Sequence, residues 1–280
     1  MSQIQDLTDE RPATQVRENP SIPSYPLLVF SPRKIAGILT AVLLFLVFVY
    51  ITSQLIRYFT GHDFQFGLLH LFNLDEENNI PTWFSSLLLS LCALLAALIG
   101  LRKKCLADPF ALHWLALAAI FLCMSLDETA SIHNMANGPL QKALHVGEPG
   151  FFHETWVVLG SLFVLIVGAA YYRFMIALPF ETRQRFILAG GIYVGGAVGL
   201  EMIRGNTYPY DHSTLTDFLG GLCEESLEML GLVICVYALS SYLSSQIGEL
   251  HILFREETRQ DFHNRPSTMG KRHREAPKAA

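Results

Sequence analysis

Residues 112–124 read LHWLALAAIFLCM, and residues 125–134, which follow directly, read SLDETASIHN. The first run has the composition of a helix that crosses a bilayer, and the second places Asp127, Glu128 and His133 at its end. Charge at the end of such a segment raises two questions: where the membrane stops, and what the charged groups do there.

The rest of the chain supports the membrane reading. Of the 280 residues, 51% are hydrophobic and only 16% charged, and the mean hydropathy is +0.33, unusual for a soluble globular protein. Apolar runs near the ~20 residues that span a bilayer fall at about 35–57, 82–101, 109–130, 154–178, 186–204 and 216–243. The sequence thus predicts an all-α, polytopic membrane helix bundle with six transmembrane helices. It divides into a disordered tail over 1–34, a six-helix transmembrane domain over 35–245 and a basic tail over 246–280. No apolar run with a small-residue cleavage site precedes the first span, so that helix is read as uncleaved. The basic tail is read as a topology anchor, and no nucleic-acid partner is expected. Of the five cysteines, four lie in predicted spans, where cysteine acts as a small apolar residue; a Cys123–Cys223 disulfide stays open.

Orientation follows from the basic residues. The N-terminal tail, the turn LRKKCLADP, the turn from Arg173 to Arg185 and the C-terminal tail hold 17 of the 20 lysines and arginines, leaving Arg57, Lys142 and Arg204 for the other side. The excess marks the cytoplasmic side, so both termini are expected in the cytoplasm. The opposite side holds 14 of the 25 acids, a concentration that attracts cations.

Some of these acids lie within the spans, where a charged side chain costs about 2.5–3.5 kcal/mol on insertion scales and usually has a task. Glu128 stands roughly 28 Å along the third span, at its outer edge. That helix is expected to continue to Asn137 and stop at Gly138-Pro139. On such a helix Asp127 and Glu128 share a site. His133, roughly 140° from Glu128, joins them only if the helix unwinds or other helices approach from both sides. The fourth span opens with His153 and Glu154, an acid also suited to a helix N-terminus. The fifth, FILAGGIYVGGAVGLEMIRG, spaces Gly191, Gly195 and Gly199 by fours, which predicts a close-packing face. It ends on Glu201, for which Arg204 is an intrahelical partner or which is itself functional. In the sixth, Thr214 and Asp217 have capping-box spacing. Beyond them CEESLEM puts Asp217, Gly221, Glu224 and Glu228 on one face, with Glu225 turned about 100° away. Glu228 lies on the order of 20 Å from the start of that helix, too deep for a short acid to snorkel.

Carboxylates forced together share protons, find basic partners or hold a cation. A carboxylate-rich set with histidines suits Zn, Mn or Fe. The candidate metal ligands are Asp127, Glu128, His133, His153, Glu154, Glu201, Glu224, Glu225 and Glu228, with Glu225 and Glu128 as candidate catalytic groups. The Glu-x-x-His pair of helix-bundle di-metal sites is absent.

Glu224-Glu225 resembles the double glutamate of CAAX-type membrane proteases, but Met229 stands where that family has an arginine. The histidine pair of alkaline-ceramidase-like hydrolases is absent. SLDETASIHN together with CEESLEMLG resembles a set of bacterial multipass membrane proteins of unknown function, which implies a bacterial cell membrane and no particular activity.

Three functions remain. One is a metal-dependent intramembrane enzyme acting from the outer leaflet on a lipid or isoprenoid-like substrate. The second is a cation or proton-coupled transporter, for which acids at several depths are expected. The third is an assembly or scaffold protein whose acids merely pair with Arg57 and Arg204. Partners expected for the first are membrane lipids and a lipid-like substrate.

Overall fold

The computed structural model describes residues 31–61, 68–144, 150, 153–205 and 215–247; most of both tails, and Thr214 of the proposed capping box, lie outside them. The described residues are helical, with no strand among them, and the helices are α1 (Pro32–Thr60), α2 (Leu68–Leu71), α3 (Ile80–Cys105), α4 (Ala111–Ala130), α5 (Ile132–Leu144), α6 (Trp156–Ala177), α7 (Phe180–Val194), α8 (Glu201–Arg204) and α9 (Leu215–Ile247). A π-helical turn, Gly195–Leu200, joins α7 to α8. Six helical stretches are long and apolar enough to cross a membrane: α1, α3, α4, α6, the run Phe180–Arg204 and α9. They match the six predicted spans to within a few residues, except that the fifth starts earlier.

Local signals fix several ends. Pro32 supplies a preset φ in the first turn of α1, and Gly61 closes that helix in the left-handed region at φ 66°. Asn79 caps α3, its side chain accepting from the Thr82 N–H at 3.2 Å. At about 50 Å, α9 is longer than the ~30 Å hydrocarbon layer. It packs against α1, α3 and α7, while α3 also packs on α4. The core is where these meet: Leu88, Leu89, Cys92, Ala96 and Ile99 of α3 against Met229, Val233, Val236 and Leu239 of α9, with Leu46 of α1 and Trp114 of α4. All five cysteines are free, Cys123 and Cys223 included.

The end of the bundle that carries Lys103, Arg173 and Arg185 is closed by aromatic side chains. Trp114 packs edge-on to Phe174 at 5.0 Å between centroids and stacks on Tyr242 at 5.0 Å, with Phe186 at 6.1 Å. In the turn there, Lys103 Nζ bonds Asp108 at 2.9 Å, which holds the Asp108 carboxyl below its ordinary range.

Two helical expectations need correction. The third span does not run on to Asn137. Ser131 adopts the left-handed conformation (φ 52°, ψ 40°), α4 ends at Ala130, and a separate α5 begins, with Pro139 inside it. The glycine face is also different. A Cβ on Gly191 or Gly195 would meet nothing, and one on Gly199 only the chain's own Val194, whereas one on Gly196 would come within 2.9 Å of the Glu224 carbonyl oxygen and 3.1 Å of Glu228 Cγ. A π-helical turn fits more residues per turn than an α-helix, so it rotates the face that follows and brings Gly196 against α9.

Candidate intramembrane carboxyl site

The first turns of α9 present Asp217, Gly220, Gly221 and Glu224 at successive helical spacings on one face. Against that face lies Arg204, at the end of α8. Its Nη1 is 2.7 Å from Glu224 Oε2 and 2.8 Å from Asp75 Oδ1, and its Nη2 is 3.1 Å from Asp75 Oδ2 and 3.3 Å from Asp217 Oδ1. Gly220 and Gly221 make room for this arrangement: a Cβ on Gly220 would press on the Arg204 side chain, and one on Gly221 would overlap the Asp75 carboxylate. Asp75 comes from the loop before α3, where its N–H donates to Asn73 Oδ1 at 3.2 Å and Asn79 ties the loop to the start of the helix. Burial raises the Asp75 carboxyl above its ordinary value, against the pull of Arg204. Arg204 therefore does not simply pair with Glu201 within its own helix; its hydrogen bonds reach another helix and a loop.

A second group forms where α4 breaks. The left-handed residue Ser131 turns the chain back, so that the His133 N–H donates to Asp127 Oδ1 at 2.8 Å and His133 Nδ1 lies 3.1 Å from Asp127 Oδ2. Its Nε2 is 3.6 Å from Glu77 Oε1, and its ring packs on Trp156 at 5.0 Å. Burial alone would lower the His133 value; Asp127, Glu77 and Glu128 together outweigh it and raise it. Next to this, Asn137 Oδ1 accepts the Trp156 N–H at 2.9 Å and so caps α6, while its amide donates to the Glu154 carboxylate. Glu154 is thus held by a side chain rather than serving as the cap. His153 is buried, its Nε2 3.9 Å from Glu154 Oε1.

The third group lies further along α9 than the Arg204 cage. Glu128 of α4 and Glu225 and Glu228 of α9 stand within electrostatic reach of one another, with Tyr193 of α7 beside them. Glu201 meets Glu224 carboxyl to carboxyl. Glu128, Glu201, Glu225 and Glu228 are each partly buried rather than fully enclosed. Among the described residues, Glu128, Glu225 and Glu228 take part in no ion pair.

The nine candidate ligands therefore divide among three places. Glu224 belongs to the Arg204 cage; Asp127, His133, His153 and Glu154 to the α4–α6 junction; Glu128, Glu201, Glu225 and Glu228 to the third group of carboxyls. Among the described residues no three His, Cys, Asp or Glu side chains stand in a geometry that holds a metal ion. Sequence reasoning missed Asp75, Glu77, Asn137 and Tyr193. The adjacent glycines at 220 and 221, inside a helix that otherwise packs large residues, were the available signal that another group approaches there.

Fold and site together define an integral membrane protein, a six-span helical bundle with a group of carboxyls inside it. The chain belongs to the family described as a domain of unknown function, DUF8692, whose pattern matches residues 38–242 and so covers most of the bundle and all three groups of carboxyls. No curated protein and no solved structure matches it.

Proposed function

We propose that this chain is an intramembrane acid–base protein. Glu128, Glu225 and Glu228, with Glu201 beside them, exchange protons towards the acidic end and act there on a lipid-like molecule. Glu225 and Glu128 are the proposed catalytic groups. The supporting observation is the division of charge: Arg204 is committed to Asp75, Asp217 and Glu224, while Glu128, Glu225 and Glu228 meet without an ion-pair partner among the described residues. Carboxyls in that setting exchange protons or take a cation. The aromatic layer at the basic end favours a one-sided site over a transport path.

A divalent Zn, Mn or Fe ion is the second reading, favoured by the donor set of carboxylates with His133 and His153 nearby. It requires those side chains to swing into ligating positions.

Infrared titration of the carboxyl C=O band, with elemental analysis of protein purified without chelator, separates these. The expected result is a protonated-carboxyl band lost in Glu225→Gln plus Glu228→Gln, with negligible metal in both proteins. No difference in the band sinks the acid–base reading. Metal held by the wild type and lost from the variant selects the second. The orientation proposed, with both termini in the cytoplasm, rests on the lysine and arginine bias, and a bacterial cell membrane on the resemblance of SLDETASIHN and CEESLEMLG to bacterial multipass proteins. A reporter fused after His145 is then active only outside the cytoplasm, and cytoplasmic activity inverts the orientation.

A further inference from the structure

At the end of the bundle away from the carboxyls, a groove of about 820 Å³ opens between the start of α1, the start of α7 and the last turns of α9. Arg33 of α1 and Arg185 of α7 line it, along with Thr182, Tyr237, Ser241 and Ser245. Tyr237 lines the groove with Arg33 and Ser241, and its ring lies 5.1 Å below the Arg185 guanidinium. The acid in the groove is Glu181, which Arg185 Nη2 meets at 3.1 Å; its side chain is 79% exposed, so solvent screens that pair. Two helix N-termini also point this way, α1 after Ser31 and α7 after Pro179, and neither has a side-chain cap. Their unpaired N–H groups and dipoles favour negative charge.

Two guanidiniums, hydroxyls around them and a single screened carboxylate leave the groove short of negative charge. Guanidinium forks and hydroxyls together match the oxygens of a phosphate group. The groove is also far larger than one phosphate. Beside it, Phe180 and Ile38 are 62% and 65% exposed on the lipid-facing surface, where an acyl chain would run.

We propose that this groove binds the phosphate headgroup of an anionic phospholipid from the leaflet on that side, separately from the carboxyl groups. Phosphate chemistry alone would also admit free inorganic phosphate, so the test has an arm for each. Full-length protein is titrated with phosphatidylglycerol, with phosphatidylcholine as the control lipid, and bound lipid is counted by native mass spectrometry. A basic residue near an anionic surface contributes roughly fivefold in affinity, so Arg33→Gln loses roughly fivefold and Arg33→Gln plus Arg185→Gln roughly thirtyfold. Arg33 is exposed, so its single variant keeps the fold and reads binding alone. Arg173→Gln, the same charge change at the same end but outside the groove, leaves affinity unchanged. The proposal fails if Arg173→Gln weakens binding as much as Arg33→Gln. It also fails if phosphatidylcholine binds equally well, or if inorganic phosphate displaces the lipid at matching concentration.

Discussion

Arg204→Gln removes the guanidinium on which Asp75, Asp217 and Glu224 converge, and the structure sets the scale of the loss. The four side chains are only 4–13% exposed, so solvent screens them little. At an effective dielectric constant of about 20, one pair at ~4 Å between charge centres is worth about 4 kcal/mol. Repulsion among the three acids and the desolvation of all four groups offset much of the sum. The net cost is nearer that of breaking a buried ion pair, about 3–5 kcal/mol. On the scale of larger domains, that lowers Tm by roughly 6–20 °C. Thermal unfolding in a fixed detergent, followed by tryptophan fluorescence, is the assay. The variant recovers part of its deficit in acid, where the orphaned carboxylates take up protons. The Asp75 carboxyl titrates above its ordinary value, so its contribution is full below about pH 3.9 and is lost as pH rises through the higher folded value. Adding Asp75→Asn, Asp217→Asn and Glu224→Gln to Arg204→Gln restores most of the stability, because no charge is then left unpaired. A single variant within about 1 kcal/mol of wild type, or a quadruple variant no better than the single one, refutes the cage as a unit of stability.

Gly221→Val places a branched side chain where the Asp75 carboxylate sits, and lowers Tm as Arg204→Gln does, while Gly191→Val, on an open face, stays within about 0.5 kcal/mol of wild type. Burial lowers the His133 value, but its acidic neighbours raise it further, so its hold on α5 is full below about pH 6.5 and is lost as pH rises through the raised value. Amide protection over residues 132–144, after correction for base-catalysed intrinsic exchange, is therefore lower at about pH 8 than at about pH 6, and His133→Ala removes the difference. The Ser125 hydroxyl meets those of Ser86 and Ser90, each at 2.9 Å across the α3–α4 contact; Ser125→Ala costs about 0.6–1.7 kcal/mol by unfolding in detergent.

Six apolar runs were enough to read the bundle, because a bilayer demands about 20 apolar residues per helix whatever the neighbours are. The carboxyl-bearing turns were legible for a related reason: acids inside an apolar helix stand out against the cost of placing them there. Which acid faces which partner was not legible. Helical phase put Glu224 and Glu228 on one face and turned Glu225 aside, yet Glu224 goes to Arg204 while Glu225 and Glu228 meet Glu128. That outcome depends on three features with weak sequence signals. Ser131 takes a left-handed conformation that folds His133 back onto Asp127. The π-helical turn at Gly195–Leu200 moves the packing face from Gly195 to Gly196. Asp75, from a loop seen in the sequence only as acidic, fits the gap left by Gly221. The chain by itself determined which stretches are long and apolar enough to span and where along them the acids fall, because both follow from composition along one helix. Tertiary structure decided the pairing, because a shift of one residue in helical register or one reversed backbone dihedral turns a side chain towards a different neighbour.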